Sequence, residues 1–127
     1  MVGNVVDSSG WLEYLGDGSN ASVFVDVIAD RTHLIVPTIS VFEVVKVVRR
    51  LRGDKLADEA AVLMLSGQVI DLDAALALHA AQLSIEHRLP MADSIILATA
   101  RRFDATLWTQ DVDFAGIEDV RYLPKVA

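Results

Sequence analysis

Cysteine is absent from this 127-residue chain. That excludes disulfides, thiolate catalysis and cysteine-based zinc sites. Basic residues are scarce: 11 Lys and Arg stand against 18 Asp and Glu, for a formal net charge of −7. This balance offers no general attraction to nucleic acid or anionic lipid, so action on a polyanion requires a local basic patch or a bound cation. No apolar run approaches the length that spans a bilayer. The first ten residues, MVGNVVDSSG, place no Lys or Arg ahead of a long apolar segment. No secretory signal is therefore expected, and the chain reads as soluble and cytoplasmic. Proline and glycine number only 3 and 7 and do not gather into a linker. With no repeat and no low-complexity segment, residues 1–127 read as one domain, long enough to bury a core.

What is present is apolar, at 53% of the residues, and it is ordered in alternation. NVVD is a short apolar run ending in an acid and reads as a buried strand. Ser8 or Ser9 is expected to cap a helix through GWLEYL, which stops at GDGSN. ASVFVDVIAD continues as helix and HLIV reads as a second strand. ISVFEVVKVVRRLRG is valine-rich, which favours strand. It is too long for one, however, and Glu43, Lys46 and Arg50 recur at helical spacing, so it reads as helix. KLADEAAVLMLSG is a further helix and QVIDL a third strand. Asp73 is expected to cap AALALHAAQLSIEHR, and Pro90 to start MADSIILATARRF. ATLW is a fourth strand and VRYLP a fifth at the edge. Strands alternating with helices predict an α/β fold with a parallel sheet covered on both faces. Sites in such folds form outside the carboxyl ends of the strands, where Asp7 and Asp111 fall.

Several acids stand out by placement. Asp7 ends a strand, where a helix N-cap is the plain alternative. Glu43 lies near the start of an apolar helix, where an exposed ion pair with Lys46 is the plain alternative. Asp93 shares a helix face with Leu97 and Ala100. A carboxylate among residues that seek burial is costly unless paired, hydrogen-bonded or bound to a cation. In TQDVDF, Asp111 and Asp113 follow the fourth strand; a turn with an Asx-type hydrogen bond accounts for one of them and less well for both. If Asp7, Glu43, Asp93 and Asp111 converge, their mutual repulsion calls for a cation. All-oxygen ligands select a hard ion such as Mg²⁺ or Mn²⁺, which activates water and stabilises phosphoryl displacement. Ser8, Ser9 and Thr109 are candidates to orient the carboxylates, though hydroxyls beside strand ends also serve as plain caps.

Lys46, Arg49, Arg50, Arg52 and Lys55 crowd into one short region. They are candidate phosphate contacts, or else cations that suit a helix C-terminus. His33, His79 and His87 have no ligand spacing, and Trp11, Tyr14 and Trp108 read as packing residues.

VVDSSGWLEYL, ISVFEVV, LPMADSIILATA and TLWTQDVDF, in that order, resemble the PIN-domain ribonucleases, and most closely the VapC-type toxins of prokaryotic toxin–antitoxin pairs. The resemblance spans nearly the whole chain. It implies a three-layer sandwich with a four- or five-stranded parallel sheet and a Mg²⁺- or Mn²⁺-dependent endoribonuclease. It also implies a homodimer inhibited by a small cognate antitoxin. Asp7, Glu43, Asp93 and Asp111 match the family's acidic quartet, Asp113 a frequent fifth acid, and Thr109, Ser8 and Ser9 its supporting hydroxyls. Asp104 stands in the helix-to-strand turn where Gly or Asn is usual, and Asp tolerates the left-handed backbone there. Three other readings are a receiver-like Mg²⁺-binding signalling module, a haloacid-dehalogenase-like phosphatase and a PIN-fold binding protein without catalysis. The first wants paired acids after the first strand and a phosphoacceptor Asp after the third. The second wants an Asp where Ser9 stands.

Overall fold

A computed structural model describes residues 2–126. Five strands form one parallel sheet: β1 (Asn4–Val6), β2 (Leu34–Pro37), β3 (Gln68–Ile70), β4 (Thr106–Thr109) and β5 (Val120–Tyr122). Their spatial order is β3-β2-β1-β4-β5, with Val5 opposite both Ile35 and Leu107. The helices are α1 (Ser8–Leu15), α2 (Ala21–Ala29), α3 (Thr38–Arg52), α4 (Asp54–Met64), α5 (Ala74–His87) and α6 (Met91–Arg102). Single 3₁₀ turns occupy Arg31–His33 and Val112–Phe114. No helix among the described residues is long and apolar enough to cross a membrane.

Consecutive strand residues point to opposite faces of a sheet, and β1 shows the result. Val5 joins a core with Ile35, Leu107 and residues of α5 and α6. Val6 joins a second core with Leu34, Val36, Trp11, Phe24, Ile28 and Val44. The central strand is thus sealed on both faces, as its unbroken apolar run requires. The valine-rich segment is helix, because Val44 and Val48, one turn apart, both reach the second core. Gly53, at φ +90°, lets the chain turn from α3 into α4. At Gly10 a Cβ would come within 2.7 Å of both Phe24 and Val6, so only glycine allows α1 this close to β1.

Asp73 caps α5 by accepting the Leu76 N–H at 2.8 Å, and Asp104 takes a left-handed conformation with φ 49°, both as expected from sequence. For α1 the sequence offered Asp7 as well as Ser8 or Ser9, and the structure selects Asp7. Asp7 holds that position and accepts the Gly10 N–H at 2.9 Å, while Ser8 and Ser9 lie inside the helix. A carboxylate answers the positive end of a helix better than a hydroxyl does, which frees both serines for other partners.

From β1 the chain proceeds outward through β2 and β3; β4 then returns to β1's other side. The crevice between the carboxyl ends of β1 and β4 is the topological switch point of the sheet. Asp7 and Asp111 flank it.

Candidate metal centre

Asp7 begins where β1 ends, its backbone N–H donating to the Trp108 carbonyl of β4 at 3.1 Å. It is only 2% exposed, and its carboxylate is well supplied with donors. Oδ1 accepts from Ser9 Oγ at 2.7 Å and from the Gly10 N–H at 2.9 Å; Oδ2 accepts from Thr109 Oγ1 at 2.6 Å. A carboxylate has about four acceptor sites, so roughly one, on Oδ2, stays open. Thr109 Oγ1 also accepts the Asp111 N–H at 2.9 Å, so a single hydroxyl ties together the acids that end β1 and β4. Ser9 repeats the device, accepting the Gln110 N–H at 3.0 Å while donating to Asp7.

Opposite this hydrogen-bonded set stands a cluster of a different kind. Asp93, in the first turn of α6, brings a carboxylate oxygen within 4.8 Å of oxygens of Asp111 and Asp113, and those two lie within the same distance of each other. Asp111 Oδ1 accepts the Asp113 N–H at 2.9 Å, the Asx-type bond a turn would use. That bond helps curl residues 112–114 into a 3₁₀ turn, which brings the Asp113 carboxylate back toward Asp111. Among the described residues, no hydrogen bond ends on the Asp93 side chain. Glu43, on α3, is half-buried and accepts from Ser8 Oγ at 2.6 Å. No ion pair joins it to Lys46, whose ammonium instead sits 5.5 Å from the centroid of the Phe42 ring.

The electrostatics report convergence. Asp93 is pushed up from 3.8 to about 7, first by burial and then by the charges of Asp111, Asp7, Glu43 and Asp113. All four other candidate acids therefore act on this one group. Asp7 is also raised, because burial outweighs its three hydrogen bonds. The structure thus gathers Asp7, Glu43, Asp93, Asp111 and Asp113 in one cleft, with the tightest group being Asp93, Asp111 and Asp113. Asp113, a supporting acid in the sequence reading, belongs to that inner group, whereas Asp7 and Glu43 stand outside it. Three oxygen ligands with few competing donors fit a hard divalent cation.

Among the cations, Lys46 and Arg50 are exposed on α3. Arg49 is divided between Asp54 at 2.6 Å and Asp58 at 3.0 Å. Sequence reasoning passed over Gln110, which is 4% exposed and sits between Asp111 and Thr109. Nothing in the local pattern signals its burial, since α1, a hundred residues away, provides the cover.

A sequence profile of the PIN domain matches residues 5–120. The chain belongs to the PIN domain family. A search of curated protein sequences finds no match. Among solved structures, this PIN domain is similar to a chain of a toxin–antitoxin complex from Klebsiella pneumoniae, with a TM-score of 0.81 and 22% identity. That likeness covers 97% of this chain and 99% of the other. It is also similar to VapC20 of Mycobacterium tuberculosis, described as a toxin that cleaves the sarcin-ricin loop. There the TM-score is 0.76 at 20% identity, over 93% of this chain and 98% of that one. A third relative, VapBC2 from Rickettsia felis, was solved on a DNA fragment from its own promoter; it gives 0.73 at 15% identity, over 97% and 98%. At such identities the likeness is one of fold. It agrees with the five-stranded parallel sheet, at the upper of the two strand counts expected from sequence.

Proposed function

We propose that this PIN domain is a Mg²⁺- or Mn²⁺-dependent endoribonuclease and the toxin of a pair with a cognate antitoxin. The observation that carries the reading is the Asp93, Asp111 and Asp113 cluster. Three carboxylates this close repel one another, and a bound cation relieves that repulsion. Asp93, Asp111 and Asp113 would hold it, with the open site of Asp7 Oδ2 and with Glu43 beside them. The bound ion supplies charge neutralisation and Lewis acidity toward a phosphodiester.

The chain's own residues have distinct parts. Thr109 sets Asp7 and Asp111 at a fixed separation, because it bonds the side chain of one and the backbone of the other. Ser8 fixes the Glu43 carboxylate from the neighbouring helix. Asp93 retains a proton to about pH 7 in the metal-free chain, so it must lose that proton to act as a ligand. Asp113, the exposed member, is assigned to orient the attacking water and accept its proton. Lys46 and Arg50 supply phosphate contacts; Arg49 contributes less, since two aspartates already share its guanidinium. The chain acts as a homodimer in this reading.

Purified protein should cleave RNA with added Mg²⁺ or Mn²⁺, and Asp7→Asn and Asp93→Asn should each lose that activity. Undiminished cleavage in both variants would end the proposal. For the toxin role, expression should arrest growth, and the product of a small adjoining reading frame should relieve the arrest.

A further inference from the structure

Adjoining the acidic cleft lies a hollow of about 470 Å³, lined by Ser9, Gln110, Asp111, Val112, Tyr122, Pro124 and Lys125. That volume falls in the range of small-ligand sites. Its central feature is Gln110, a nearly buried side chain whose amide is only half answered. Gln110 Oε1 accepts from Asn20 Nδ2 at 2.7 Å, and the same Nδ2 donates to the Pro124 carbonyl at 3.0 Å. A carbonyl can only accept, so the Asn20 atom must be the nitrogen, and the Gln110 atom facing it must be the oxygen. Gln110 Nε2 is left with two N–H groups and no partner among the described residues. It is not among the fully enclosed unpaired atoms of the molecule, and Gln110 is one of the residues that line the hollow.

The walls are held in place from several directions. The Asn20 N–H donates to Glu13 Oε2 at 2.7 Å, which anchors the residue that orients Gln110. Tyr122 pairs with Thr109 in the sheet, and the Leu123 N–H donates to the Thr109 carbonyl at 2.8 Å. The Gln110 backbone is tied to Ser9, and Ser9 to Asp7. The hollow and the acidic cleft therefore share Ser9 and Asp111 and are built on one rigid connection.

We propose that this hollow binds the nucleotide next to the scissile phosphate: Tyr122 stacks on its base, the Gln110 amide donates to an acceptor on the base edge, and Lys125 meets a neighbouring phosphate. The proposal rests on the nuclease reading for the identity of the adjoining cleft. Its chemistry is complementary to a nucleotide part by part. An aromatic ring offers a stacking face that any base can use. An amide whose oxygen is turned toward Asn20 leaves both its N–H donors unpaired, and base carbonyl and ring-nitrogen atoms are acceptors. A lysine at the rim places positive charge where the acidic cleft has none.

The test uses the full chain, labelled with ¹⁵N and held in EDTA, with nucleotide binding followed by NMR. The probes are the four ribonucleoside 5′-monophosphates, with ribose 5-phosphate as the base-free control. The Gln110 side-chain amide resonances, identified by their loss in Gln110→Glu, should move with nucleotides and stay still with ribose 5-phosphate. Tyr122→Leu should weaken nucleotide binding about fivefold or more, and Tyr122→Phe should restore it. Both variants are checked for an unchanged backbone spectrum. Stationary Gln110 amide resonances with every nucleotide, or equal movement with ribose 5-phosphate, would overturn the proposal. The two readings separate cleanly. Nucleotide binding at Gln110 without RNA cleavage sustains the hollow and sinks the nuclease; cleavage without such binding does the reverse.

Discussion

The two sides of the acidic cleft solve the same problem in opposite ways. On one side Asp7 is buried and carries three donors, from Ser9, Gly10 and Thr109. On the other, Asp93, Asp111 and Asp113 face one another, and among the described residues the single hydrogen bond their carboxylates accept is the one from the Asp113 N–H to Asp111. Both sides raise the pKa of a carboxyl group, yet the causes differ. For Asp7 it is burial resisted by hydrogen bonds; for Asp93 it is burial reinforced by four like charges. A carboxylate that is answered by donors is part of the fold. A group that is answered by nothing but its own kind is completed from outside.

That contrast can be broken most forcefully at Asp93. Replacing it by Asn should reduce RNA cleavage at least about a hundredfold, since loss of even an outer partner at a metal site costs up to that much. The fold should survive, because no donor depends on this side chain. Thr109→Val attacks the other side. It leaves Asp7 buried and short of a donor, at a cost of about 1–3 kcal/mol in chemical denaturation. An Asp93→Asn variant as unstable as Thr109→Val would erase the distinction between the two sides.

A pH series sharpens it further. In the metal-free fold Asp93 keeps its proton to about pH 7, whereas the unfolded chain releases it near 3.8. Between those values the folded state binds more protons, so stability falls as pH rises through the window and is lowest above 7. Asp93→Asn should therefore be more stable than wild type in EDTA at pH 8, by about 1–2 kcal/mol once solvent screening of this half-buried group is allowed for. At pH 4 the two proteins should melt together. Ser8→Ala is the gentlest change: it loosens Glu43 and should lower stability by less than about 1 kcal/mol.

Much of this was legible in sequence, and the reasons are local. The α3 segment declared itself helical by length and by the spacing of Glu43, Lys46 and Arg50, despite its valines. Asp93 declared itself because an acid among Leu97 and Ala100 on an apolar helix needs a partner. What escaped depends on contacts distant in sequence or on one tight turn. Which residue caps α1 is settled by partners distant in sequence: Glu43 of α3 draws the Ser8 hydroxyl, while Thr109 of β4 holds the Asp7 carboxylate. Asp113 read as a supporting fifth acid beside the quartet; the 3₁₀ turn over Val112–Phe114 brings it into the inner group with Asp93 and Asp111. Gln110 carried no signal in the sequence, and its hydrogen bonds to Ser9 of α1 and to Asn20 are contacts across about ninety to a hundred residues.

The central claim is that the unanswered side of the cleft takes a divalent cation. Its most direct test is calorimetric titration of Mn²⁺ into the metal-free chain at pH 8, in parallel with Asp93→Asn. The account predicts saturable binding to wild type, with proton release that grows as the pH is lowered toward 7, and loss of that binding in Asp93→Asn. Equal binding by both proteins, or none by wild type, would contradict it.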